Sequence, residues 1–204
     1  MDKIFDKLKN IFKENGYHLY MIGSTSRDYL LGNKINDYDL VSDATPDEVK
    51  KFLDVEMTYA KYGTTKYYVD GNKIDIITLR EEGKYFDHRH PSYIKFVKDI
   101  NIDYRRRDFT INAIYIDEDY KVIDPTLRGV KDLENKVLTF IGDPKTRIEE
   151  DPLRILRARR FIKEYNLKVD DNTKYVLENN NDLLKYINKD KIKEEENKYK
   201  SISR

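Results

Sequence analysis

The 204-residue chain contains no cysteine and no tryptophan. Without cysteine there is no disulfide, no thiolate zinc site and no cysteine nucleophile. Long apolar runs are missing too, and Met1 leads directly into charged residues. That pattern predicts neither a signal peptide nor a membrane span, and so a cytoplasmic protein. Nor does either sign of charge prevail. With 39 Lys and Arg against 38 Asp and Glu, the formal net charge is +1. No global basic field advertises nucleic acid, and any such case must rest on local clusters. What is present is a modest core, with 39% hydrophobic residues, and 17 tyrosines that predict an aromatic interior with hydroxyls at its rim.

Periodicity gives the first elements. Ile4, Phe5, Leu8, Ile11 and Phe12 fall at helical spacing ahead of Gly16. "YHLYMIG" reads as a short buried strand, "STSRDYLLG" as a helical turn closed by Gly32, and "NDYDLVS" as a strand. In "ATPDEVKKFL", Thr45 as N-cap, Pro46 and the acids after it predict a helix start. "TTKYYVDGNKIDIITLR" predicts a hairpin turning at Asp70-Gly71. Residues 81–104 are polar with few structure signals, and predict a mobile loop. Strands resume at "AIYID" and "KVID", and "GVKDLENK" predicts a short helix. From Asp151 onward the pattern is helical and richly charged. The expected organisation is therefore a mixed α/β domain over residues 1–142 and an all-helical domain over 143–204. The last stretch, "NKDKIKEEENKYKSISR", is either a solvated helix or a frayed tail.

Four constellations carry chemistry. Asp37 and Asp39 in "NDYDL" are two apart, so on a strand they project from one face. Two like charges side by side call for a cation, and Mg²⁺ suits them as a hard ion that shares its remaining positions with phosphates. The plain alternative is two solvated acids at a strand edge. Gly23-Ser24 lies between a strand and a helical turn, where backbone N–H groups can meet an anion, with Arg27 one turn further in. Otherwise Ser24 is only an N-cap, and Arg27 a surface partner of Asp28. Asp75, among apolar strand neighbours, is a third carboxylate if its strand lies beside the D-x-D strand; if not, it belongs to the polar face of the hairpin. In "EEDPLRILRARRF", Asp151, Arg154 and Arg157 are three apart, roughly along one helix face. Aspartate accepts and arginine donates, so the pair Asp151 and Arg154 can read a base edge. Alternatively Asp151, just before Pro152, simply caps the helix.

In this order the residues resemble the bacterial-type (class II) tRNA nucleotidyltransferases and poly(A) polymerases of the polymerase β-type superfamily. "IGSTSRDYLLG" is similar to the family's Gly-Gly-x-Val-Arg-Asp segment, and "NDYDLVSDATPDEV" to its metal-carboxylate motif. "KIDIITLR" and "GKYFDHRHP" resemble the strand and flexible loop that follow. "RRDFTINAIYID" is similar to the ribose-recognition motif, "DPTLRGVKDLENKVL" to the hinge and "EEDPLRILRARRF" to the amino-acid template for the base. The likeness covers roughly residues 17 to 167.

The resemblance implies an α+β fold, a mixed-sheet nucleotidyltransferase head followed by a small helical neck, truncated before the family's body and tail. It implies that C or A is added from CTP or ATP to the 3′ end of tRNA, with Mg²⁺ held by Asp37 and Asp39. Alternatives are an A-adding, CC-adding or poly(A)-adding relative, or a truncated non-catalytic RNA-binding module. Gly23, Ser24 and Arg27 are then expected at the phosphates, and Asp151, Arg154 and Arg157 at the base. Arg106, Arg107, Asp108 and Asn112 are expected beside the ribose and triphosphate, with Asp108 accepting from a ribose hydroxyl. Three departures stand out. Ser24 replaces a glycine, His90 replaces a loop arginine, and Leu127-Arg128 interrupt a glycine pair, which predicts a stiffer hinge.

Overall fold

The structure is a computed structural model and describes residues 2–202. By packing, the chain forms two compact units. The first runs through Glu81 and includes Ile94–Arg106 and Asn112–Leu127; the second comprises Glu82–Tyr93, Arg107–Ile111 and the chain from Arg128 onward.

Helix α1 (Lys3–Glu14) opens the first unit. Asp2 caps it by accepting from the N–H groups of Ile4 and Phe5 at 3.0 and 2.9 Å. Its apolar stripe, Phe5, Leu8 and Phe12, is fully buried against a sheet. That sheet holds strands β1 (Leu19–Met21), β2 (Tyr38–Ser42), β3 (Thr64–Val69), β4 (Asn72–Thr78), β7 (Tyr115–Ile116) and β8 (Val122–Ile123). They lie in the order β3-β4-β2-β1-β7-β8. β2 and β4 run parallel and the other pairs antiparallel. Tyr38, Leu40, Ile74 and Ile76 point into the α1 core. Alternation then puts Asp39 and Asp75 on the opposite face. Helices α2 (Gly23–Leu31) and α3 (Pro46–Val49) follow β1 and β2, and α3 starts at the expected N-cap Thr45, which forms a capping box with Glu48.

The expected loop over residues 81–104 is corrected. Strands β5 (Arg80–Glu82) and β6 (Ile94–Phe96) pair, and helix α4 (Ile100–Asp103) follows, capped by Asp99. The ribbon continues through Gly83 N–H to Tyr93 O at 3.0 Å and Ser92 N–H to Lys84 O at 2.8 Å. Its strands are short and polar, so their order comes from cross-strand backbone bonds that leave no hydrophobic period.

In the second unit lie helices α5 (Gly129–Glu134), α6 (Pro144–Glu150), α7 (Leu153–Tyr165), α8 (Asp171–Asn179) and α9 (Lys189–Ser201). The C-terminal stretch is thus a helix. α7 and α9 are joined by Arg160, which binds Glu195 at 2.9 Å. Burial works against the Glu195 carboxylate, but the Arg160 charge and hydrogen bond outweigh it and lower its pKa. Phe109 lies in this unit and stacks edge-on with Phe140 and Phe161.

At the hinge segment, Leu127 is 83% exposed and has a left-handed φ of 58°. It closes a turn onto Asp124 O that Asp124 and Thr126 brace. An L-residue there costs about 1–2 kcal/mol, whereas glycine adopts this conformation freely but adds roughly 0.5–1 kcal/mol of unfolded-chain entropy. Leu127→Gly is therefore expected to raise the melting midpoint by roughly 1–3 °C. Differential scanning calorimetry checks this; a lower midpoint would mean that Leu127 makes a stabilising contact.

Candidate active site

In the first unit two of the expected carboxylates stand side by side on the sheet. Asp39 on β2 stands directly beside Asp75 on the parallel strand β4, so the condition set for a third carboxylate is met. Asp37 lies just before β2, exposed. Gly23, the first residue of α2, has φ +62°, and a Cβ there would lie 3.0 Å from Asp39 Oδ2. Only glycine fits both demands. Ser24 donates to Asp39 Oδ2 through its hydroxyl at 2.7 Å and its backbone N–H at 3.3 Å. Ser24 as N-cap is thereby corrected: Ile22 is the N-cap of α2, and the serine hydroxyl reaches across to the D-x-D strand.

Thr25 fastens that junction. Its hydroxyl donates to Asp37 O at 3.2 Å and accepts from Asp39 N–H at 2.7 Å. Arg27 is 3% exposed and donates to Asn112 Oδ1, which corrects the surface pairing with Asp28. Two residues 85 positions apart, both expected at the nucleotide, are thus brought together.

Asp75 Oδ1 is buried and has no hydrogen-bond partner, while Oδ2 accepts from Lys73 at 3.1 Å. Burial opposes the Lys73 ammonium, but the Asp75 hydrogen bond and the charges of Asp75 and Asp37 outweigh it and raise its pKa. A lysine thus balances a row of carboxylates. Among the described residues, no three His, Asp or Glu side chains are already gathered around one point. The donor set nevertheless fits a hard divalent ion, being all carboxylate oxygen and including a buried oxygen that lacks a partner.

The arginine cluster is divided. Arg106 belongs to the first unit, where its Nε donates to Asp103 Oδ1 at 2.8 Å. Arg107 and Asp108 belong to the second, and Arg107 O accepts from Arg147 at 2.8 Å. Asp108 accepts from Phe109 N–H through Oδ1 at 2.9 Å and from Arg157 Nε through Oδ2 at 2.7 Å. Burial disfavours the Arg157 cation, but the charge of Asp108 more than offsets this and raises its pKa. Two more of the expected site residues therefore meet.

The expected single helix face of Asp151, Arg154 and Arg157 is corrected. Asp151 is the extended C-cap residue of α6, with φ −147°, because Pro152 disfavours a helical residue before it. Its Oδ1 accepts from Leu153 N–H at 3.1 Å from one residue ahead of Pro152, the N-cap of α7, which corrects Asp151 as that helix's N-cap, while Oδ2 accepts from Arg89 at 2.6 Å. Arg154 is 5% exposed and donates to Arg147 O at 2.7 Å and Glu150 at 2.8 Å. Burial and the like charge of Arg154 lower the Arg147 pKa. Arg89, Glu150, Thr25, Lys73 and Asp103 escaped the sequence reading. Glu150, Lys73 and Asp103 have partners at local spacing, in Arg154, Asp75 and Arg106, whereas Arg89 and Thr25 act through partners that no local pattern reveals.

Residues 19–139 match the Poly A polymerase head domain. The chain belongs to that family. It is 34% identical over 194 residues to the CCA-adding enzyme of Staphylococcus epidermidis, covering 93% of this chain and 48% of the relative. It is 38% identical over 176 residues to that of Ligilactobacillus salivarius, covering 86% and 43%. Among solved structures, the Bacillus stearothermophilus CCA-adding enzyme in complex with CTP superposes with a TM-score of 0.85 at 30% identity. The match covers 98% of this chain and 49% of that one. The Thermotoga maritima CCA-adding enzyme complexed with tRNA-CCA gives 0.76 at 25% identity, covering 100% and 49%. The chain spans about half the length of the relatives it matches. The α+β fold with a polymerase β-like head is thereby established. Among the described residues no helix is long and apolar enough to cross a membrane.

Proposed function

We propose that this head-domain family member transfers a nucleotidyl group from CTP or ATP to the 3′-hydroxyl of an RNA, the 3′ end of tRNA. The observation that carries it is Asp39 beside Asp75 on parallel strands, with Ser24 at the start of α2 bonded to Asp39. In this reading residues 1–142 form the catalytic head and 143–204 the neck. The 3′-oxygen attacks the α-phosphorus, its bond to phosphorus forms, the bridging oxygen leaves with pyrophosphate, and the hydroxyl loses its proton. Asp37 and Asp39 would hold Mg²⁺, which when bound supplies charge neutralisation for the attacking and leaving oxygens. Asp75 Oδ1, buried and without a partner, is the acceptor we assign to the hydroxyl proton. Gly23, Ser24, Arg27 and Asn112 orient the phosphates, with Arg106 and Arg107 adding positive charge. Asp108, bonded to Arg157, would accept from the ribose, while Asp151 and Arg154 would read the base. Positioning and fixed charge do most of the work.

The CCA-adding enzymes to which the chain is similar support tRNA as the acceptor. The test is primer extension on a tRNA lacking its 3′ end, with CTP and ATP separately and together. Addition of C followed by A is expected. Growth with ATP alone into long tails would make the chain a poly(A)-adding relative, and no extension would reduce it to an RNA-binding module.

Each arginine of α7 already has a protein partner, so RNA grip is assigned to exposed lysines of α9 such as Lys189 and Lys193. About three phosphate contacts lower single-strand affinity roughly tenfold between 50 and 200 mM salt. Fluorescence anisotropy of a labelled tRNA at both salt concentrations measures this; tight, salt-insensitive binding would contradict the assignment.

A further inference from the structure

Asp103, the last residue of α4, is a carboxylate with 0% exposure. It draws together three separate segments of the first unit. Arg80 N–H donates to its Oδ1 at 3.0 Å, at the start of β5, two residues after β4 ends. The Tyr115 hydroxyl donates to its Oδ2 at 2.6 Å from β7. Arg106 Nε donates to Oδ1 at 2.8 Å, with only 13% of the arginine side chain exposed.

A buried anion in such a position is strongly constrained. Its charge must be met by donors of fixed geometry, and removing any one leaves a costly desolvated group. Two of the donors belong to the backbone and side chains of the sheet region, so they fix where the carboxylate sits. The third is a guanidinium, which is planar and carries five N–H donors in a rigid fork. Holding its Nε edge therefore fixes the plane of all the others. An ammonium at the same place would be held as a point charge and would carry no such direction.

We infer that Asp103 is a positioning residue for nucleoside-triphosphate binding, fixing the plane of the Arg106 guanidinium against β5 and β7. The inference rests on the functional reading above, in which Arg106 adds charge at the triphosphate. It assigns Asp103 no contact with the nucleotide.

The test is isothermal titration of ATP with Mg²⁺ into the whole chain without RNA, so that binding is read apart from turnover. Asp103→Asn places an amide N–H or a weaker acceptor against Arg106 and is expected to weaken ATP binding roughly ten- to a hundredfold. Arg106→Ala should weaken it similarly, and the double variant no further than Arg106→Ala alone, because the two act through one group. Tyr115→Phe removes one of the two donors that fix the carboxylate while Arg80 N–H still holds it, and is expected to weaken ATP binding less than Asp103→Asn does. Should Asp103→Asn fail to fold, Arg106→Lys keeps the charge against Asp103 but loses the planar fork, and is expected to bind ATP at least tenfold more weakly. Wild-type affinity in Asp103→Asn or Arg106→Lys overturns the inference, as do additive losses in the double variant. A wild-type chain that binds no ATP overturns the functional reading and the inference with it.

Discussion

Asp39→Ala is expected to abolish nucleotide addition, by at least about a thousandfold, while the chain still folds. The separation of the two effects follows from where the residue sits. Asp39 lies on the sheet face opposite the α1 core, between the core residues Tyr38 and Leu40. The substitution removes two hydrogen bonds from Ser24 and no apolar packing. Their net worth is about 1 kcal/mol each, which an intact core tolerates. Catalysis loses far more, because the carboxylate would hold the divalent ion that neutralises the reacting phosphates. Asp37→Ala should behave alike and melt nearly as the wild type, being exposed. Primer extension and a melting curve on each variant make the comparison. Full Mg²⁺-dependent activity in either would remove the carboxylate pair from the mechanism.

The second large effect concerns base choice. Asp151 uses its two oxygens differently, Oδ1 for the Leu153 N–H and Oδ2 for Arg89. Asparagine can keep the first bond through its carbonyl and replaces the second acceptor by an N–H donor. Stability should fall by roughly 1–3 kcal/mol, because Arg89 then faces an N–H donor, while the fold is kept. Discrimination should change markedly. C and A offer an exocyclic amino donor to a carboxylate, whereas U and G do not offer one at the matching position. A mismatched buried polar group costs roughly 1–3 kcal/mol, or one to two decades in rate. Asp151→Asn is therefore expected to bring the kcat/KM values for UTP and GTP to within about tenfold of those for CTP and ATP. Unchanged selectivity would leave Asp151 a cap tied to Arg89 and move base reading elsewhere. Asparagine is the better probe than Arg154→Ala, because Arg154 is buried and bonded to Arg147 O and Glu150. Its loss would disturb the junction of α6 and α7 as well as the base.

Much of the head was legible because its signals are local. The stripe of Phe5, Leu8 and Phe12, the Thr45 N-cap and the Asp70-Gly71 hairpin are each written within a few residues, and each folds as its pattern demands. The ribbon of residues 80–96 was illegible for the opposite reason. Its order lies in backbone bonds between Gly83 and Tyr93 and between Ser92 and Lys84, to which side-chain periodicity is blind.

The sequence by itself determined which chemical groups are present, and in what order. A D-x-D pair, a Gly-Ser turn before a helix, an arginine cluster and an Asp-Pro junction could be named from spacing, although Asp37 lies just before β2 and only Asp39 takes its direction from the strand. Tertiary structure alone decided their partners. It placed Asp75 beside Asp39, Arg27 on Asn112, Arg157 on Asp108, Arg89 on Asp151 and Arg106 on the buried Asp103. Each of these pairs except the last joins residues far apart in the chain. Even the Asp103–Arg106 pair owes its meaning to Arg80 and Tyr115, which fix the carboxylate from elsewhere. Periodicity reports whether a side chain is buried, but the identity of the group that meets it depends on which strands and helices the folded backbone sets side by side.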